Sequence, residues 1–379
     1  MKKFVIILDA LKKNKIEIIK NILNTDIEYI EVIPPFTFEP DASYLCGKNP
    51  EDSNAGLKYW KRDNNNLDWQ IKFINLLPNK PYILRKFINY ALSKINFDSL
   101  KSYKNSYGHI PFHFLKYFEL SKPINLFKKT EYPDPITIFN FIEKEYLYFG
   151  VPYHSGKIKT IKKLINFEKL KNYDLIFLYI SDLDATGHKY GGNSSEYDNK
   201  LKEIFIFLKE IFNSFNNNVS FVIFGDHGMT NVSKYIDIEK ILKKLPLTIK
   251  KDYIYFLDST MARFWFFNNN AKKIIFESLS QIKDGSWITD EDKNIYKINY
   301  KHNKFGDAIW WVNEGNSIIS PNFWQGNKKL KGMHGYKKEV SENHTCIISN
   351  KVKFNDKTYP LSMIELFEIL KDFIITKNG

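Results

Sequence analysis

Three strand-length, largely apolar runs, at residues 4–8, 174–180 (opened by Asp174) and 219–224 (with Ser220 its one polar position), constrain this chain more than any other feature. Each has the length of a strand. Each is apolar at successive positions rather than alternate ones, the pattern of a parallel strand covered on both faces. Between and after them lie stretches with helical spacing. Residues 11–23 place Leu11, Ile16, Ile19, Ile22 and Leu23 on one face, and residues 196–215 and 361–375 behave likewise. Further strands are expected at 29–33 and 346–349. Pro34, Pro35 and Pro40 exclude a helix interior between them, because proline removes a ladder donor. A short helix is expected to start near Asp41. Strands alternating with helices predict an α/β fold with a mostly parallel central sheet flanked by helices.

The chain has 379 residues, more than one ordinary core holds. The expectation is a single α/β domain over residues 1–379 interrupted by a cap region. Residues 48–150, rich in Asn, Lys, Tyr and Pro, read as that cap. Residues 235–330 read as a second, smaller insertion. The net charge of +13 comes from scattered lysines, with no basic block or nucleic-acid motif. No specific nucleic-acid binding is expected. Cys46 and Cys346 are too few for a disulfide framework and are expected to be reduced thiols. The N-terminal apolar run stops at Asp9, short of the ~7–15 residues of an export signal. Nothing approaches the ~20 apolar residues of a membrane-spanning helix. A soluble, cytoplasmic protein is expected.

The strand ends carry the chemistry. In open parallel sheets, ligands gather at the carboxyl ends of strands. Asp9 ends the first run, Asp184 and His188 follow the second, and Asp226 and His227 follow the third. His334 sits in a glycine-framed segment, Gly332-Met-His-Gly-Tyr336. Gly187 is expected to turn the loop between Asp184 and His188. Gly225 and Gly228 are expected to supply the unusual backbone that aims the adjacent Asp226 and His227 inward. Mixed Asp/His ligation suits zinc, and also manganese or iron. Two divalent ions can hold both the attacking and the leaving oxygen of a displacement at phosphorus. A nucleophilic hydroxyl is then required. Thr37 is the first choice and Ser43 the second.

The motifs match a known group. Thr37 through Gly47 and on to Pro50-Glu51, Asp184-Ala-Thr-Gly-His188-Lys-Tyr-Gly191, Gly225-Asp-His-Gly-Met-Thr230 and Met333-His-Gly-Tyr336 resemble the alkaline phosphatase superfamily. Within it they resemble the type I phosphodiesterase / nucleotide pyrophosphatase family. The likeness runs from residue 4 to about 350 and is weakest over 52–150. It implies an alkaline-phosphatase-like fold. It implies one divalent ion, usually zinc, on Asp184, His188 and His334. A second would sit on Asp9, Asp226 and His227, with Thr37 beside it as ligand and nucleophile. Thr37 would attack phosphorus and form a phosphothreonine that water hydrolyses. The family's Thr-Phe-Pro-Asn-His is here Thr37-Phe-Glu-Pro-Asp41, which adds two acidic residues. Counting from the nucleophile puts Lys58 where the family has a phosphoryl-contacting asparagine, with Asn54 nearby.

The resulting expectation is a metal-dependent phosphodiesterase or nucleotide pyrophosphatase acting on a small nucleotide or nucleotide-sugar type of substrate. The alternatives are a phosphomonoesterase, phosphonate hydrolase or phosphotransferase of the same superfamily, and a non-catalytic, metal-stabilised binding protein. Other residues have plainer readings. His109, His113 and His344 are expected to pack, and Trp310 and Trp311 to fill core. Asp182 competes with Asp184 as ligand, but the four-residue spacing to His188 favours Asp184. Tyr153 and His154 are left without a role.

Overall fold

The structure is a computed structural model. It describes residues 1–35, 40–53, 59–62, 111–120, 125–131, 135–319, 328–354 and 359–376, with single positions at 72, 76, 84, 87, 88 and 323. Thr37, Asn54, Lys58 and His109 lie outside the described residues. The chain divides into two compact units. The first comprises residues 1–56, 124–231 and 330–379, and the second 57–123 and 232–329.

The first unit is built on a seven-stranded sheet. Its strands are β1 (Lys2–Leu8), β2 (Glu28–Ile33), β3 (Tyr146–Gly150), β4 (Leu175–Ile180), β5 (Val219–Phe224), and, after two short strands β6 (Thr230–Asn231) and β7 (Gly332–Met333), β8 (Thr345–Ser349) and β9 (Leu361–Ser362). The order across the sheet is β9-β2-β8-β5-β1-β4-β3. The pairs β3/β4, β4/β1, β1/β5 and β2/β9 are parallel, while β8 runs antiparallel to β5 and β2. The strands foreseen in the sequence fall within a residue or two of these bounds.

The apolar runs reflect covering on both faces. Phe4, Ile6 and Leu8 of β1 enter one core with α1 (Ile16–Leu23) and α4 (Ser195–Asn213), two helices of this unit. Val5 and Ile7 point the other way. They enter a second core with α2 (Asp41–Cys46) and α5 (Met363–Ile375). Side chains alternate between faces along a strand, so both registers must be apolar. Each fully buried aliphatic side chain contributes about 1.5–3 kcal/mol. The ends of α5 are sealed separately. Ser362 and Glu365 form a capping box at its start, and the buried Lys3 ammonium donates to the Phe373, Ile374 and Thr376 carbonyls at its end.

Helix α3 (Asp182–Tyr190) follows β4 directly. It corrects the sequence reading: Asp184 and His188 stand on a helix, not on a turn. Their spacing already places them on one face, one turn apart. Gly187 is helical. A Cβ there would meet the Met229 side chain at 2.8 Å, so glycine allows close approach rather than a change of direction.

The second unit is different in kind. Strands Tyr253–Leu257, Met261–Phe266, Ala308–Val312 and Gly285–Trp287 pair antiparallel, in that order. Helix Asn269–Ser280 belongs to the same unit. Trp310 and Trp311 are fully buried, which makes them core. His113 lies on the single turn Phe112–Phe114. Among the described residues no helix is long and apolar enough to cross a membrane.

Candidate metal centre

Strand β1 lies between β4 and β5, so the carboxyl ends of three adjacent parallel strands meet at one edge. Asp9 follows β1, Asp184 lies in the first turn of α3 after β4, and Asp226 and His227 follow β5. His334 arrives from the opposite direction, one residue past β7, which pairs with β6 through Met333 and Thr230. The six carboxylate and imidazole residues expected as ligands therefore converge within the first unit, while the seventh expected ligand, Thr37, lies outside the described residues.

The distances are short. His227 Nε2 lies 3.4 Å from Asp9 Oδ1 and 3.7 Å from Asp226 Oδ2. His188 Nε2 and His334 Nε2 lie 3.2 and 3.8 Å from Asp184 Oδ1. Two triads have donor atoms all within 4.8 Å of one another: Asp9 with Asp226 and His227, and Asp184 with His227 and His334. His227 belongs to both. His188 joins the second group through Asp184.

The imidazoles are oriented by carbonyl groups. His188 Nδ1 lies 2.9 Å from the Gly332 carbonyl and His227 Nδ1 lies 2.8 Å from that of Gly228. A carbonyl can only accept, so the proton sits on Nδ1. The Nε2 atoms are then left for the cluster, as in histidines that bind metal. The His227 and His334 rings stack with centroids 3.7 Å apart.

Several residues absent from the sequence reading hold this edge. Ala10 adopts a left-handed backbone, φ 67°, immediately after Asp9. That conformation costs a non-glycine residue energy and persists only when its surroundings impose it. Here Ala10 N donates to Asp226 Oδ1 at 3.0 Å, and the Tyr197 hydroxyl donates to the Ala10 carbonyl. The Tyr179 hydroxyl stands 3.3 Å from Asp226 Oδ2 and 3.5 Å from Asp9 Oδ2. No sequence motif marks these partners, because only the strand order makes them neighbours.

Electrostatically the site is unbalanced. Burial pushes the Asp9 carboxyl well up, and the nearby Asp226, Asp184 and Asp41 carboxylates push it further. At Asp184 burial also acts upward, but His188 and the other imidazoles outweigh it, and the carboxyl is held below its ordinary range. His188 is raised: burial opposes its charge, and Asp184 and the Gly332 carbonyl overcome that. Asp184 Oδ1 is buried, and no donor among the described residues meets it in hydrogen-bond geometry. An acid-rich pocket of mixed oxygen and nitrogen donors with a buried, incompletely satisfied carboxylate fits divalent cations.

The glycines near the site act mostly through space. The residues flanking Asp226-His227 were expected to supply special backbone angles. Neither Gly225 nor Gly228 has a positive φ; a Cβ on Gly228 would come within 2.4 Å of the Glu342 and His344 carbonyls. Gly335, after His334, does require glycine's freedom, with φ 81°.

The secondary candidates fall away from the cluster. Asp182 accepts from the Ile158 amide. Ser43 donates to the Lys48 carbonyl at 2.9 Å. His344 bridges Glu31 and the Lys338 carbonyl, a packed, structural arrangement. Tyr153 donates to the Phe127 carbonyl, and His154 is exposed.

A mostly parallel α/β sheet with acid–imidazole clusters at its carboxyl edge defines an alkaline-phosphatase-like class of protein. The family model for type I phosphodiesterase / nucleotide pyrophosphatase matches residues 8–337, and the chain belongs to that family. It is 31% identical over 271 residues to venom phosphodiesterase CdcPDE of Crotalus durissus collilineatus, which covers 64% of this chain and 29% of that protein. It is 32% identical over 68 residues to GPI ethanolamine phosphate transferase 2 of Kluyveromyces lactis, covering 18% and 9%. The chain thus spans less than a third of the length of these curated relatives. Among solved structures, murine ectonucleotide pyrophosphatase / phosphodiesterase 5 superposes with a TM-score of 0.63 at 14% identity, covering 100% of this chain and 96% of that one. An inactive threonine-to-alanine form of the same murine protein, in complex with AMP, superposes with a TM-score of 0.61.

Proposed function

We propose that the chain is a two-metal phosphodiesterase or nucleotide pyrophosphatase, cleaving a nucleotide-type diester or phosphoanhydride through a phosphothreonine on Thr37. The observation that carries this reading is the convergence of Asp9, Asp184, His188, Asp226, His227 and His334 at the ends of three adjacent strands. Family membership supports it, as does the AMP complex of the inactive threonine-to-alanine murine protein.

In this reading Asp184, His188 and His334 hold one divalent ion, and Asp9, Asp226 and His227 hold the other. Zinc, manganese and iron all suit the donor set. Bound there, the ions supply Lewis-acid polarisation of phosphoryl oxygens and lower the pKa of a coordinated hydroxyl. The rest is the work of the chain. Asp9 and Asp226, held by the Ala10 amide and the Tyr179 hydroxyl, present fixed carboxyl oxygens on the nucleophile's side of the site. Thr37 Oγ attacks phosphorus, its bond to phosphorus forms, and the leaving oxygen departs with its electron pair. Water then breaks the phosphothreonine ester and restores Thr37. Lys58 or Asn54 donates to a phosphoryl oxygen.

The test is hydrolysis of bis-(p-nitrophenyl) phosphate by purified protein loaded with zinc or manganese. Release of nitrophenol that disappears in Thr37→Ala, with metal still bound, supports the reading. A folded protein inactive with either metal overturns it. The similarity to an ethanolamine phosphate transferase favours a second reading, transfer of the phosphoryl group to a hydroxyl other than water. A product ester formed with an added alcohol, in excess of hydrolysis, would select it.

A further inference from the structure

The turn Ser341–Asn343 and the first residue of β8 follow the His334 segment and touch the other segments that carry the clustered side chains. Glu342 receives the ammonium of Lys12, three residues past Asp9 and almost fully buried. Lys12 also donates to Asn193, just beyond α3. The Thr345 hydroxyl donates to the Leu11 carbonyl at 2.7 Å. Between them sits Asn343, 2% exposed. Its carbonyl accepts from the Gly228 amide at 2.8 Å, beside His227. Its side-chain Oδ1 accepts from the Gly335 amide at 3.1 Å, beside His334.

Asn343 is therefore bonded through its main chain to one histidine segment and through its side chain to the other. These two histidines belong to different metal sets in the function proposed above, and their rings stack 3.7 Å apart. The strand pairing of Met333 with Thr230 stops one residue short of His334. Beyond it the chain enters the left-handed turn at Gly335, whose buried amide needs an acceptor. Asn343 supplies one.

We propose that Asn343 is a positioning residue. Its Oδ1 fixes the Gly335 turn against the Gly228 segment and so sets the separation of the two cation positions. This inference rests on the two-metal reading.

The experiment titrates Mn(II) into wild type, Asn343→Leu and Asn343→Asp, reading affinity and the exchange coupling of the bound ions by electron paramagnetic resonance. Leucine keeps the volume and removes the acceptor, while aspartate keeps the acceptor. Outer partners of metal ligands typically control affinity by about 10–100-fold. The expected result is that Asn343→Leu binds the second ion at least about tenfold more weakly and loses the coupled spectrum, with Asn343→Asp close to wild type. Two ions bound by wild type and Asn343→Leu alike, with the same coupling, overturn the positioning role alone. Equal losses in both variants also overturn it, because packing rather than the acceptor would then matter. Wild type binding fewer than two ions overturns both this role and the two-metal reading. Should Asn343→Leu fail to fold, amide exchange in metal-free wild type decides: the Gly335 amide is expected to be protected, and fast exchange there refutes the contact.

Discussion

Both units of this protein bury charge, and they do so in opposite ways. In the second unit Arg263 is 2% exposed, and its Nε lies 2.9 Å from Asp258 Oδ2. The rings of Phe256 and Phe305 lie 4.5 and 4.6 Å from its guanidinium carbon. A cation and an anion are paired beside aromatic rings, and their charges balance. In the first unit Asp9, Asp184 and Asp226 crowd against imidazoles at one sheet edge, and burial together with the neighbouring carboxylates pushes the Asp9 carboxyl up. That cluster is not closed by the chain's own charges. A self-neutralised pair is what structure alone requires; an acid surplus gathered from three strand ends is what a cation requires.

The sharpest break between the two comes from removing one carboxylate in each. Asp226→Asn is expected to lower phosphodiester hydrolysis on the order of a thousandfold, about 4 kcal/mol of transition-state stabilisation. Its metal-free unfolding midpoint should hold or rise, since a repulsive charge is gone. Steady-state kinetics with a denaturant melt of the apo protein reads both. A variant that loses stability but keeps turnover would place Asp226 with Asp258 as a structural residue.

Asp258→Ala should do the reverse. It removes the carboxylate from a buried ion pair, and breaking such a pair costs about 3–5 kcal/mol. Much of that loss should return in the Asp258→Ala/Arg263→Met double variant, because the uncompensated buried charge is removed as well. Chelator should change the stability of neither variant differently from wild type. A chelator effect confined to these variants would erase the contrast.

Metal addition is the next smaller effect. Saturating zinc or manganese at a hundred times its dissociation constant should stabilise the wild type by about 2.7 kcal/mol per independent site. Asp184→Asn should lose most of that increment at its site, whereas Asp258→Ala should keep it. Thermal melts with and without chelator measure the difference.

Much of the first unit could be read directly from the sequence, and the reason is local. Apolar runs specify strands covered twice, and residues at their ends inherit the position where parallel sheets bind ligands. Asp9, Asp184, Asp226 and His227 were found that way, and His334 through its motif. What escaped depends on adjacency that no local pattern encodes. Tyr179 faces Asp9 and Asp226 only because β4 lies beside β1, and Asn343 reaches Gly335 and Gly228 only through tertiary contact. In the sequence Gly187 points to a turn, whereas Asp182–Tyr190 is a helix and the missing Cβ makes room for Met229. The second unit was harder to foresee. Strands Tyr253–Leu257, Met261–Phe266 and Ala308–Val312 are buried almost throughout and dense in aromatics, so their apolar residues do not alternate, and nothing at their ends announces chemistry.

The last expected effect, negligible at neutral pH, tests whether the unrest in the first unit is confined to the carboxyl edge. Cys46 and Cys346 are both buried in that unit, in α2 and β8. Burial pushes each thiol from 9.0 up to about 12. At pH 8 the thiolate fraction of the folded protein is then about one in ten thousand, and the thiolate is the reactive form. Ellman's reagent should titrate two thiols in denaturant and react negligibly with native protein, and activity should survive the treatment. The same shift has a sign for stability. The unfolded chain releases these protons from pH 9 upward while the folded chain keeps them, so folding weakens as pH rises from about 9 to about 12 and is unaffected by the thiols below that window. Rapid native modification at pH 8, or a Cys46→Ser/Cys346→Ser variant that unfolds at alkaline pH just as the wild type does, would mean that burial fails to hold either thiol neutral.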